Sequence, residues 1–343
     1  HCPQAVNAGI DLFMVPYDWR TFIPNTVEDV RAGRIPMSRI DDAVTRILRV
    51  KLRAGLFDLP RPSERELADA ENIVDHDLAR RAVRESLVLL KNNGQVLPLR
   101  RNRKVLVVGK SADSLQNQTG GWTLTWQGGP WTYGPNDQNL NSDFPSGQTI
   151  LAGIQETVGA ANVTFRPDAS GVNVTSYDVV IAVIGETPYA ELFGDIATEL
   201  GNHNSPDTSI RTLELGVRHP EDRAVLEAVS GQGVPVVTVL LSGRVLYTNA
   251  EINLSDAFVA AWLPGTEGGG IADVLFRKSN GRIHHDFRGK LSFSWPRAAC
   301  QTQSNVGDPG YDPQFAYGYG LDYSRHVQIG LLDETPGPLE GCP

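Results

Sequence analysis

Four short apolar runs, with helical patterns between them, constrain this sequence more than any other feature. Residues 105–109, 179–185, 234–243 and 258–264 are rich in β-branched side chains, and each ends at glycine or proline. Continuous rather than alternating hydrophobicity marks strands covered on both faces, the condition of a parallel sheet. Segments near 147–158, 220–230 and 267–277 carry apolar residues at helical spacing. That alternation predicts an α/β fold, a doubly wound sandwich with a mostly parallel sheet over residues 104–325. Such sheets bind ligands in loops beyond the carboxyl ends of their strands. Residues 290–295 read as a later strand.

The part before the sheet reads differently. Residues 10–15 (Ile-Asp-Leu-Phe-Met-Val) form an apolar run closed by Pro16, the pattern of a buried strand. Asn25 is placed to cap a short helix through Ala32. Ser38 is placed to open a longer one by a capping box with Asp41. Ile40, Ala43, Val44, Ile47 and Leu48 share one face of that helix, and Gly55 stops it. One strand and two helices are too little for a domain, so residues 1–56 are read as the end of a larger unit. Residues 57–103 are read as linker and connecting helix, the helix running from Asp77 to Lys91, and 326–343 as a tail.

Charge narrows the partners. The 343 residues include 40 acidic and 31 basic side chains, a formal net charge of −9. Nucleic acid and anionic membranes are excluded as partners, because both are held by surplus Lys and Arg. Three cysteines without a CxxC pair argue against a zinc ribbon or a thioredoxin-type site. Cys2 is left to pair outside the chain or stay free, and Cys300 with Cys342 to pair with each other. No GxSxG, GxGxxG or P-loop pattern occurs, and His284-His285 lacks a third ligand. Neither a metal nor a cofactor is called for.

Two loops have the residue types of chemistry. Residues 120–128 (Gly-Gly-Trp-Thr-Leu-Thr-Trp-Gln-Gly) set two indoles among glycines, and flat aromatic faces are what sugar rings stack on. The plainer reading is that both tryptophans fill the core. The second loop, Glu186-Thr187-Pro188-Tyr189-Ala190-Glu191-Leu192-Phe193-Gly194-Asp195, follows an expected strand and carries three carboxylates. Glycoside cleavage needs two carboxyl groups, one to donate a proton and one to attack or to activate water. Solvated loop charge is the alternative for these residues.

Taken together, these stretches resemble the family-three glycoside hydrolases, in the branch of two-domain β-glucosidases and β-glucan exohydrolases. The likeness rests on residues 8–16 and on the long run 35–51 (Ile-Pro-Met-Ser-Arg-Ile-Asp-Asp-Ala-Val-Thr-Arg-Ile-Leu-Arg-Val-Lys). It continues through Ser86–Asn92, the Gly-Gly-Trp loop, Pro188-Tyr189-Ala190-Glu191, residues 260–265 and 317–321. It implies the C-terminal end of a (β/α)8 barrel in residues 1–56, followed by an α/β sandwich. It also implies retaining, exo-acting hydrolysis of β-linked glucosides without a cofactor. Glu191 falls at the position of the acid/base, and Trp126 at one jaw of an aromatic clamp. Trp122 and Tyr189 flank them as further substrate-binding candidates. The family's nucleophile, an aspartate in an SDW-like motif, is not in this sequence. The chain therefore reads as the C-terminal portion of such an enzyme, whose partners are β-glucan oligosaccharides or β-glucosides and the remainder of its own barrel. The resemblance implies a secreted or periplasmic protein. A β-xylosidase of the same family and a non-catalytic saccharide-binding module are the other readings.

Overall fold

The computed structural model describes residues 1–61, 74–129, 138–194, 212–301 and 303–337. The chain divides into two compact units, His1–Val74 and Asp75–Pro343.

The first unit is built on helices α1 (Pro3–Asn7), α2 (Trp19–Arg31) and α3 (Met37–Arg53). Asp18 precedes α2, which runs through Pro24, so Asn25 lies inside that helix instead of capping it. Pro36, extended at ψ 140°, sets the start of α3, and no side-chain cap forms there. The expected capping box between Ser38 and Asp41 is thus absent, because the helix starts two residues earlier than that box requires. Lys51 and Arg53 lie in the last turn of α3, where cations complement the helix dipole, and Gly55 follows at φ +68°. Residues 10–15 form no strand; Leu12 is 79% and Met14 93% exposed. A lone apolar run cannot close a hydrogen-bond ladder, and this unit offers no described strand for it to join.

The second unit is the sheet. Asp75 accepts a hydrogen bond from Leu78 N and caps α4 (His76–Ser86). That helix ends five residues before the expected Lys91. Val88–Asn92 is instead strand β1, buried throughout and antiparallel to β6 (Ala257–Trp262). Burial of every residue suits a strand covered on both faces, whereas a surface helix keeps a polar face. Strands β2 (Val105–Val108), β3 (Val163–Phe165), β4 (Val179–Gly185), β5 (Val236–Leu241) and β6 are parallel to one another, and the sheet order is β1-β6-β5-β4-β2-β3.

Helices cover both faces. Val105, Val107, Ile181, Val183, Val237 and Val239 pack on one side with Val83 of α4, Ile150 and Ile154 of α5 (Ile150–Val158), and Ile271 and Leu275 of α7 (Gly269–Leu275). Leu106, Val108, Val180, Ala182 and Ile184 pack on the other with Val225, Leu226 and Val229 of α6 (Pro220–Val229) and with Leu291, Trp295 and Phe315. Each fully buried valine, leucine, isoleucine or phenylalanine among them contributes about 1.5–3 kcal/mol of transfer free energy. The expected strand at 290–295 is not one. Only Trp295 pairs, in an isolated bridge to Phe315, and the segment's burial comes from its side chains lying over the sheet. Cys300 is disulfide-bonded and Cys2 is free and exposed. The expected partner of Cys300, Cys342, lies outside the described residues.

The strand order locates a cleft. From β2 the chain moves outward to β3, then returns past β2 to β4 and continues the opposite way through β5 to β6. The reversal falls between β2 and β4, and ligands in such sheets bind outside the carboxyl ends of the strands at that point.

Candidate active site

Both loops singled out in the sequence leave the carboxyl ends of those two strands. The tryptophan loop lies on the chain after β2, beyond the short helix Leu115–Thr119. The carboxylate loop starts directly at the end of β4.

The two loops are docked together by backbone. Gln127 is fully buried, and its Oε1 accepts from Ala190 N at 2.7 Å. Gly121 packs so closely that a Cβ there would stand 2.4 Å from Tyr189 O. Within the first loop, Trp122 N donates to Trp126 O at 2.9 Å, and Asn139 Oδ1 accepts from Thr125 N and Oγ1 at 3.1 and 3.0 Å. The indoles of Trp122 and Trp126 lie 6.3 Å apart and are tilted by 48°. Trp122 is 67% exposed and Trp126 half-buried, so neither is a simple core filler.

The carboxylates of the second loop differ sharply. Glu186 is buried. Its Oε2 accepts from Tyr189 Oη at 3.0 Å and Ser242 Oγ at 2.9 Å, and its Oε1 from Arg244 Nε at 3.0 Å and Nη2 at 2.6 Å. Glu191 is exposed, and its φ of 51° puts it in the left-handed region that non-glycine residues seldom enter. Asp195 lies outside the described residues. The Tyr189 ring lies under the Arg244 guanidinium, 4.6 Å from its Cζ, and burial followed by the Glu186 charge pushes its phenol well up. A Cβ on Gly194 would stand 2.3 Å from that ring, so the loop can close on Tyr189 only with glycine there.

Sequence reasoning missed Arg244, Ser242 and Gln127. Their signal was positional: Ser242-Gly243-Arg244 follows β5 at the same sheet edge, and a charged residue just past a buried strand needs a partner. A second network lies beneath the loop. Lys110 Nζ lies 3.0 Å from His219 Nδ1 and 3.1 Å from Asp222 Oδ2, and it also bonds Glu221. Asp222 accepts from Gly185 N at 3.0 Å, fixing the residue just before Glu186. Burial raises Asp222 to about 6 against the pull of Lys110. Burial, then the Lys110 charge, lowers His219 to about 4. His219, Glu221 and Asp222 have the donor set of a metal site, but the Lys110 ammonium already sits among them.

Comparison with known proteins shows the family. Residues 87–323 match the glycosyl hydrolase family 3 C-terminal domain, and residues 1–50 match the family's N-terminal domain. A lysosomal β-glucosidase of Dictyostelium discoideum is 33% identical over 98% of this chain and 40% of its own length. A periplasmic β-glucosidase of Salmonella typhimurium is 29% identical over 97% of this chain and 46% of its own. The crystal structure of an exo-1,3/1,4-β-glucanase from a Pseudoalteromonas species superposes with a TM-score of 0.85 at 45% identity, covering 98% of this chain and 40% of that one. The chain thus spans less than half the length of these proteins. By the model that covers its whole sheet, and by that identity over nearly all its length, the chain belongs to glycosyl hydrolase family 3.

Proposed function

We propose that this chain is the C-terminal portion of a retaining, exo-acting β-glucosidase or β-glucanase, and that Glu191 is its general acid/base. One observation carries the reading: an exposed carboxylate, on a loop at the sheet's switch point, is docked by hydrogen bond and close backbone contact to a loop bearing two accessible indoles. Glu191 protonates the glycosidic oxygen as the bond breaks. It then takes a proton from the water that hydrolyses the glycosyl-enzyme. Trp126 and Trp122 stack on the sugar that leaves, and Tyr189 forms the wall beneath, its hydroxyl already engaged by Glu186. The nucleophile comes from the barrel, of which residues 1–56 are the end. Retaining enzymes hold their two carboxyl groups about 5–5.5 Å apart, so this chain and its barrel act as one enzyme.

Substrates are β-glucans or β-glucosides, in line with what the similar proteins are named for. The disulfide at Cys300 supports an oxidising compartment, hence a secreted or periplasmic enzyme engaged in polysaccharide breakdown.

The test is leaving-group dependence in the full-length enzyme. Glu191→Gln should lower kcat/KM for cellobiose by about 10²–10⁴-fold, while kcat/KM for a dinitrophenyl β-glucoside, which reports only release of a leaving group that needs little protonation, survives better. Equal loss on both substrates would overturn the assignment.

A further inference from the structure

The loop that carries Glu191 is gripped by one side chain at its start, middle and end. Arg244 Nε and Nη2 donate to Glu186 Oε1, its Nη1 donates to Gly194 O, and its Cζ lies over the Tyr189 ring. Ser242 holds the guanidinium's own backbone, its Oγ accepting from Arg244 N at 3.1 Å and lying 2.9 Å from Glu186 Oε2. Between these grips the loop is held at Ala190 N by Gln127, and the next residue is Glu191 at φ 51°. A non-glycine residue stays in that conformation only where its surroundings over-determine it.

We infer that Arg244 is a positioning residue for the acid/base, setting where the Glu191 carboxylate stands rather than touching substrate. The inference rests on the reading of Glu191 given above. A planar fork is required, because one group must meet a carboxylate and a carbonyl while stacking on a ring. Lysine supplies the charge but not the fork. Glu186 is then the anchor of the fork, which accounts for a buried carboxylate next to the catalytic one.

The experiment uses the full-length enzyme with four variants: Arg244→Lys, Glu191→Gln, the two combined, and the pair Glu186→Gln with Arg244→Met. The last removes both charges together, so it tests the clamp without leaving an unpaired buried ion. Thermal unfolding checks that each is folded. Arg244→Lys and the paired variant should each lower kcat/KM for cellobiose by about 10²-fold, the cost of a misplacement of about 1 Å, with kcat/KM for a dinitrophenyl β-glucoside, which reports aglycone release and not the later attack of water, changed less than about threefold. Added to Glu191→Gln, Arg244→Lys should cost little more, because the group it positions is already gone. Equal losses on both substrates, or losses that multiply with those of Glu191→Gln, would show a general structural role and overturn the inference. If Glu191→Gln itself shows no leaving-group selectivity, the acid/base reading fails, and the inference with it. A selective Glu191→Gln beside an unselective Arg244→Lys would sink the inference alone.

Discussion

Glu186 and Glu191 share one loop yet differ in everything that decides what a carboxylate can do. Glu186 accepts four hydrogen bonds in a buried site, so its oxygens are committed and it has no path to a reacting bond. Glu191 faces solvent beside the indole loop. Exposure, rather than spacing, separates the two candidates. The aromatic residues divide in a similar way. Trp122 is largely exposed, and the Tyr189 ring is pinned between Arg244 and Gly194. In the full-length enzyme Trp126→Ala should therefore raise KM for a disaccharide about tenfold, or about 1.4 kcal/mol, with a smaller change in kcat. Steady-state kinetics on laminaribiose checks this, and an unchanged KM would remove Trp126 from the substrate site.

At the scale of elements, the loop after β4 is held from below as well as from the side. Asp222 bonds Gly185 N, and Lys110 ties Asp222 to His219 and Glu221. His219 is depressed in the fold, from 6.5 to about 4, so the stability gained from its neutral form is complete above 6.5 and lost as pH falls toward 4. Each pH unit in that interval is worth about 1.4 kcal/mol. Asp222, raised from 3.8 to about 6, has the opposite sign and gains stability on acidification over its own interval. Around His219 stand Lys110 and Arg218, which disfavour its protonation, and Glu186 and Glu221, which favour it. His219→Asn should remove the acid loss and leave the Asp222 gain. Urea unfolding between pH 6.5 and 4 should then show the variant gaining on the parent as pH falls; parallel curves would contradict the network.

The docking of the two loops makes a second prediction on this scale. Gly121→Ala would drive a methyl into Tyr189 O. Overpacking of this kind costs about 1–3 kcal/mol, which in a unit of this size lowers Tm by roughly 2–4 °C per kcal/mol. Unchanged Tm and activity would mean that the loops are not in contact. The strands that frame the candidate site were legible because each is a continuous apolar run, and so was the placing of both candidate loops at their carboxyl ends. What escaped has physical reasons. Val88–Asn92 follows a helix without a break signal, so its apolar residues read as more helix. β3 has three residues, too few for a pattern. Arg244 is 58 positions from Glu186, and no local spacing announces such a pair.

At the scale of the whole molecule, the chain spans less than half the length of the similar proteins. If the nucleophile stands on the barrel, as proposed, the chain purified alone should fail to hydrolyse aryl β-glucosides; turnover by the verified 343-residue chain would refute that. Apolar residues on the first unit, among them Leu12, Met14, Val50 and Leu52, are exposed. A surface of that kind marks an interaction site or an aggregation liability.

The central claim is that Glu191 protonates the leaving group and later activates water, and azide trapping tests it most directly. In full-length Glu191→Gln, an activated aryl β-glucoside still forms the glycosyl-enzyme, but water attacks slowly for want of a base. Azide needs no deprotonation, so it should restore turnover and give β-glucosyl azide with retained configuration. No rescue and no azide product with Glu191→Gln, alongside rescue of Glu186→Gln, would contradict the account and move the acid/base to the other glutamate.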